Sequence, residues 1–128
     1  MKRILALIVF FMLSVAVVSC SSSKGGGSAK TFKRNVEASY YADKFNGRKT
    51  ASGEKFHNSD LTAAHRKLPF GTKLRVTNVK NGESVVVTVN DRGPHKAGRE
   101  LDLTKRAFMT ITDNKNHGFI RVNIEVLN

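Results

Sequence analysis

"TKLRVTNVKNGESVVVTVNDRGP" runs from Thr72 to Pro94, and its period decides the fold. Leu74 and Val76 alternate with Arg75 and Thr77, while Val85, Val87 and Val89 alternate with Val86, Thr88 and Asn90. Successive side chains of a strand point to opposite faces, so apolar residues spaced by two mark a strand with one face buried. Between the two runs lies Asn81-Gly82, a pair suited to the positive φ values of a type I′ turn, whose twist matches that of the flanking strands. The segment therefore predicts a β-hairpin. It also raises a question, because its second strand runs straight into Asn90-Asp91-Arg92-Gly93-Pro94 and places a carboxylate where the valine ladder stops.

The same period extends outward. In "GFIRVNIEVLN" (Gly118 to Asn128), Ile120, Val122, Ile124 and Val126 share one face and Arg121, Asn123 and Glu125 the other. Shorter strands are predicted at Val36 to Ala42, Asp60 to His65 and Arg99 to Thr104. A single helix is predicted over Lys105 to Ile111, with Thr104 as its N-cap. A helix of that length is marginal alone and must lean on a sheet. Five or six short strands with every second residue apolar favour a small closed barrel over an open sheet with exposed edges.

Ahead of this domain the chain changes character. Met1-Lys2-Arg3 is followed by an apolar run from Ile4 to Val18, broken only by Ser14. A bilayer span takes about 20 apolar residues, so the run has the proportions of a signal-peptide core. Cys20 is the only cysteine, which excludes a disulfide within one chain. Val17-Val18-Ser19-Cys20 resembles the lipobox of bacterial lipoproteins, which implies cleavage before Cys20 and a lipid on it. Ser21 resembles the outer-membrane sorting pattern, so the expected location is the cell envelope, anchored to the outer membrane and facing the periplasm. Ser21 to Lys30, "SSSKGGGSAK", reads as a flexible tether. The expected organisation is a signal peptide over residues 1–19, a lipidated cysteine and linker over 20–35, and a barrel domain over 36–128.

The formal net charge of +12 implies attraction to something polyanionic. Nucleic acid is not the expected partner: no helix-turn-helix, zinc-finger spacing or aromatic RNA-binding signature is present. Anionic polymers and lipid head groups of the cell envelope fit an exported protein better, against the plainer reading that lysines solubilise the surface.

A rigid barrel presents its functional groups where strands end. Three such stretches, Ala51 to Phe56, Leu61 to Thr72 and Val89 to Pro94, each carry one group suited to proton transfer: Glu54, His65 and Asp91. Each has a plain competitor. Asp91 is also a good turn residue that Arg92 would neutralise, Glu54 a solvated carboxylate, and His65 a surface histidine or one packed on the Leu68-Pro69 turn. Asp102, between Leu101 and Leu103, reads first as a structural residue capping the following helix or pairing with Arg99, and second as a site residue. Tyr40, Tyr41 and Phe45 read as aromatics at a strand end, suited to packing at the rim or to stacking on a ligand. His57, His65, His95 and His117 are scattered without metal-ligand spacing, so neither metal nor cofactor is expected.

The blocks "ASYYADKFNGRKTASGEKF", "LTAAHRKLPFGTKLRVTN", "NGESVVVTVNDRGP" and "GRELDLT" together resemble the rare lipoprotein A family, over nearly all of Ala38 to Leu127. The resemblance implies an all-β fold, a six-stranded double-psi β-barrel with one short helix, and lytic transglycosylase activity on peptidoglycan glycan strands. It places Glu54, His65 and Asp91 on the family's active-site positions and implies substrate contacts from Tyr40, Tyr41, Arg92 and Thr62. The implied reaction cleaves the β-1,4 bond between N-acetylmuramic acid and N-acetylglucosamine in peptide-poor strands and leaves 1,6-anhydro ends. Hydrolytic glycosidases need two carboxyls, about 5–5.5 Å apart for retention or about 6.5–9.5 Å for inversion. Here the sugar's own C6 hydroxyl is the nucleophile, so one carboxyl can serve as acid and then base. Asp91 is the expected acid, with Glu54 as the neighbouring charge and His65 as a hydrogen-bonding partner. Partners in cell division or wall remodelling follow from the same resemblance. The sporulation-related repeat that many members carry at their C-terminus has no counterpart before Asn128, which puts septal recruitment in doubt. Two other readings stand beside it: a non-catalytic, expansin-like module that binds or loosens glycan, and true hydrolysis with Glu54 as base.

Overall fold

The computed structural model describes residues 29–112 and 118–127. The signal segment, Cys20, the Gly/Ser tract up to residue 28 and His117 lie outside the described residues. The order of elements is β1 (Lys30–Tyr40), a 3-10 turn (Asp43–Phe45), β2 (Thr62–Ala64), β3 (Lys73–Asn78), β4 (Ser84–Asp91), β5 (Arg99–Leu103), α1 (Lys105–Ile111) and β6 (Phe119–Val126).

The six strands close in the order β1-β5-β2-β4-β3-β6. Two pairings, β1 with β5 and β2 with β4, are parallel, and the other four are antiparallel. Parallel neighbours cannot be joined by a tight turn, so long connections must cross the barrel. Those crossings bring the ends of β1, β4 and β5 together at one rim.

The alternation read from Thr72 onward is realised through Val89, and Asn90, expected on the other face, is buried as well. Leu74, Val76, Val85, Val87 and Val89 are buried and meet Leu101, Leu103, Val122 and Ile124 from the other strands. Full burial of each such side chain contributes about 1.5–3 kcal/mol. Helix α1 closes the core with Ala107, Phe108 and Ile111. Thr104 caps it as expected: its Oγ1 accepts from Ala107 N at 3.3 Å and donates to Asp60 O.

The hairpin forms, but its turn is wider than type I′. Strand β3 ends at Asn78 and β4 begins at Ser84, and of the central pair only Gly82 has positive φ, at 76°. The two asparagines explain the difference. Asn78 Nδ2 and Asn81 Nδ2 both donate to Ile111 O, at 2.7 and 3.1 Å, capping the C-terminal carbonyl of α1 and drawing the loop outward. Strand β1 also differs from its expected span, starting at Lys30 rather than Val36. Its first half pairs with β6 through two register shifts, and Asn35, at φ 52°, lies within the second, between Lys33 and Val36. Strand β2 is shorter than expected, Thr62–Ala64.

Candidate active site

Asp91 is the last residue of β4, and its side chain faces a groove of about 680 Å³. Three donors hold it. Tyr41 Oη donates to Oδ2 at 2.6 Å, while Ala51 N and Arg92 N each donate to Oδ1 at 2.9 Å. Beyond it the chain turns away through Gly93, whose φ of 138° is a backbone state that side-chain-bearing residues rarely adopt. Space is not the constraint there, because a Cβ on Gly93 would sit 3.7 Å from Asp102 Oδ2, an ordinary contact.

Asp102, on β5, is the second carboxylate lining the groove. Neither of its expected structural roles is realised: Thr104 caps the helix, and Asp102 instead takes the hydroxyl of Ser39, whose Oγ donates to Oδ1 at 2.6 Å. Burial, the hydrogen bond to Asp91 and the charges of Asp91 and Asp102 together push the Tyr41 phenol far above its ordinary value, so it remains a donor.

The opposite wall is a small flap over residues 47–56. Gly47 N donates to Phe56 O at 2.8 Å, Phe56 N to Arg48 O at 2.7 Å and Thr50 N to Glu54 O at 2.7 Å. Asp91 fastens this flap through Ala51, and Asn90 O reinforces it by accepting from Ser52 N at 3.3 Å. The wall is anchored from below by Asn58, a residue the sequence did not single out. Its Nδ2 donates to Tyr41 O and Asp43 Oδ1, and its Oδ1 accepts from Lys105 N. The Asn58 hydrogen bond, and after it Lys105, hold the Asp43 carboxyl below its usual range.

Lys44, Arg48, Lys49 and Arg99 line the groove, and none of them forms an ion pair with a described residue. Nor does either aspartate. The groove thus offers separated positive charges around two carboxylates held by neutral donors.

The other sequence-selected residues are distributed unevenly. Tyr40 and Tyr41 both line the groove. The Tyr40 ring lies against Phe108 at 4.6 Å, and that of Tyr41 against Phe56 at 4.4 Å and Phe45 at 5.8 Å. Arg92 also lines it, but its guanidinium is committed to Leu68 O at 2.8 Å and His65 O at 3.3 Å. Glu54 sits on the flap with its side chain exposed and is not among the lining residues. Thr62, half-buried in β2, gives its carbonyl to Thr104 N at 3.1 Å and does not reach the groove.

His65 is buried, at 2 % exposure, and is not among the residues that line the groove. Its Nδ1 accepts from Lys67 N and Leu68 N, both at 3.1 Å, which leaves Nε2 to donate to Glu100 Oε1 at 2.8 Å. Glu100 also takes Lys33 Nζ at 2.9 Å and Arg66 at 3.3 Å. Arg66 in turn donates to Pro94 O at 2.9 Å and Arg99 O at 2.5 Å, gripping both ends of the loop that carries His95.

Comparison with known proteins follows the same outline. The family described as lytic transglycolase matches residues 33–124. A Treponema pallidum protein named as a probable endolytic peptidoglycan transglycosylase RlpA is 55% identical over 87 residues, 68% of this chain and 27% of that protein. A Synechocystis protein of the same name is 45% identical over 104 residues, 81% of this chain and 32% of its own length. The chain therefore spans about a quarter to a third of these relatives. Among solved structures, an expansin from Clavibacter michiganensis superposes with a TM-score of 0.60 at 22% identity, over 74% of this chain and 50% of the expansin. A Streptomyces papain inhibitor gives 0.58 at 20% identity, over 80% of this chain and 96% of the inhibitor. These likenesses establish the double-psi β-barrel, and the sequence matches establish kinship: the chain belongs to the lytic transglycolase family, alongside the rare lipoprotein A proteins.

Proposed function

We propose that this domain is a lytic transglycosylase that cleaves the β-1,4 bond between N-acetylmuramic acid and N-acetylglucosamine in peptide-poor peptidoglycan strands. The observation that carries the reading is the Asp91 side chain, fixed by three donors on the floor of an open groove inside the family-matched region. The carboxyl of Asp91 gives its proton to the bridging oxygen as the bond from that oxygen to C1 breaks. The C6 hydroxyl oxygen of the same muramic acid then closes on C1, and its proton returns to Asp91. No water is consumed, and the new end is a 1,6-anhydro sugar. General acid–base catalysis of this kind contributes typically about 10²- to 10⁴-fold.

The role expected of Glu54, a second carboxylate near the reacting sugar, passes in this reading to Asp102. Asp102 lines the groove, its Oδ1 is steadied by Ser39, and its Oδ2 faces Gly93. The cations Lys44, Arg48, Lys49 and Arg99 suit a strand that carries carboxylates. A lipid on Cys20 would tether the domain to the outer membrane within reach of the wall. Metabolic labelling with palmitate, lost in Cys20→Ala, tests that anchor.

Product chemistry tests the activity. Incubation with peptide-free glycan strands is expected to yield ends one water lighter than hydrolysis leaves, seen by mass spectrometry. Strand binding without any new ends would leave the non-catalytic, expansin-like reading, and reducing ends would leave hydrolysis.

A further inference from the structure

Phe70 is 42 % exposed, one of the large apolar side chains that the barrel leaves at its surface. It stands at the corner of a closed turn: Thr72 N donates to Pro69 O at 3.2 Å, Thr72 Oγ1 donates to the same carbonyl at 2.7 Å, and Gly71 N to Val89 O at 2.8 Å. The ring is therefore held on a rigid support rather than on a loose loop. The guanidinium of Arg92 lies 4.0 Å from its centroid. That guanidinium is fixed by the carbonyls of Leu68 and His65, and Arg92 itself lines the groove next to Asp91. Phe70 thus continues the Arg92 end of the groove onto the surface.

A glycan strand is a polymer and has to leave a short groove at both ends. A hexopyranose presents apolar C–H groups on one face and hydroxyls around its rim, which suits a flat aromatic ring with an adjacent hydrogen-bonding and cationic edge. We infer that Phe70, backed by Arg92, is a sugar-stacking subsite outside the groove that holds the strand running on from the bond at Asp91. The inference rests on the glycan-cleaving reading of that groove. It assigns Phe70 to strand length rather than to chemistry: fragments that fill only the groove do not feel it, and longer strands do.

The chain contains no tryptophan, so Phe70→Trp installs a single fluorophore at the subsite. With peptide-free glycan strands of graded length, its emission is expected to shift and saturate with long strands and stay constant with fragments that fill only the groove. Phe70→Ala is expected to bind long strands about 3- to 10-fold more weakly, the range that one aromatic contact supports, and to bind the short fragments as the unaltered chain does. A melting curve matching that of the unaltered chain accompanies each variant. Emission that stays constant while long strands bind by sedimentation, or equal affinity of Phe70→Ala for long strands, overturns the subsite alone. No binding of any strand by the unaltered chain overturns the glycan-cleaving reading, and the subsite with it.

Discussion

Asp91 and His65 are joined by one backbone hydrogen bond, His65 N to Asp91 O at 3.1 Å, yet their side chains enter opposite surroundings. Asp91 opens onto the groove, where two backbone amides and a phenol hold it and no cation among the described residues pairs with it. His65 is enclosed with Glu100, Lys33 and Arg66, and both its ring nitrogens are engaged by the protein. A group that exchanges a proton with a ligand needs an approach from solvent as well as a suitable acid or base. By that criterion the two polar clusters differ in what they can do. One opens onto the groove, and the other ties β1, β5 and the loop after β2 into a fixed frame. The frame reaches the groove through Arg66, which holds Pro94 O and Arg99 O on the loop that forms one of its edges.

The contrast breaks most sharply at its two centres. Asp91→Asn is expected to lower the rate of anhydro-end formation by about 10²- to 10⁴-fold and to move the urea midpoint little, because the amide oxygen still accepts from Ala51 N and Arg92 N. His65→Ala should do the reverse. It strands the amides of Lys67 and Leu68 and opens a void beside Glu100, a loss of about 2–5 kcal/mol in stability. Activity per folded molecule, measured well below the lowered melting temperature, should fall far less than in Asp91→Asn. A His65→Ala protein that melts like the unaltered chain but has lost turnover would place the histidine in the chemistry and erase the distinction.

How much of this was legible in the sequence follows from distance along the chain. Strands β3, β4 and β6 were readable because their valines and isoleucines keep period two without interruption. The first half of β1 was not, since the register shifts around Asn35 break the alternation and every residue from Lys30 to Asn35 is exposed. The turn at Asn81-Gly82 was misjudged for a different reason: the side chains that reshape it bond to Ile111, 30 residues or more away. The site shows the same limit. Asp91 stood out at the end of its ladder, but its partner Tyr41 is 50 residues distant and read as a stacking ring. Burial of His65 was hidden by its neighbours Arg66 and Lys67, whereas the residue that encloses it, Glu100, lies 35 positions on. Glu54 drew attention as a carboxylate beside a glycine, yet the flap uses its backbone carbonyl and leaves the side chain in solvent.

Tyr41→Phe sharpens the comparison on the groove side. The variant keeps the ring packed on Phe56 and removes only the donor to Asp91 Oδ2. In the proposed reaction that bond strengthens as Asp91 gives up its proton, and a hydrogen bond to a charged group contributes about 1.5–3 kcal/mol, so a fall of about tenfold or more in turnover is expected, with the affinity for strands nearly unchanged. A parallel loss of binding would instead assign the phenol to the substrate, as the sequence suggested.

The smallest effect lies on the buried side and is read by pH. Burial alone would raise the Glu100 carboxyl, but the hydrogen bonds from His65 and Lys33, with their attraction, outweigh it and hold the group below its ordinary 4.5. A carboxyl with a lower folded than unfolded value adds stability that is complete above about pH 4.5 and is lost as pH falls through the folded value. The urea midpoint of the unaltered chain should therefore decline on acidification below that point. Glu100→Gln starts from a lower midpoint at neutral pH, since Lys33 and Arg66 lose their counter-charge, and its acid limb should be flatter. Groove variants such as Asp91→Asn should keep the decline that Glu100 causes. Superimposed acid limbs for Glu100→Gln and the unaltered chain would mean that the enclosed cluster carries no net charge coupling, and that its hold on the groove edge comes from the Arg66 hydrogen bonds alone.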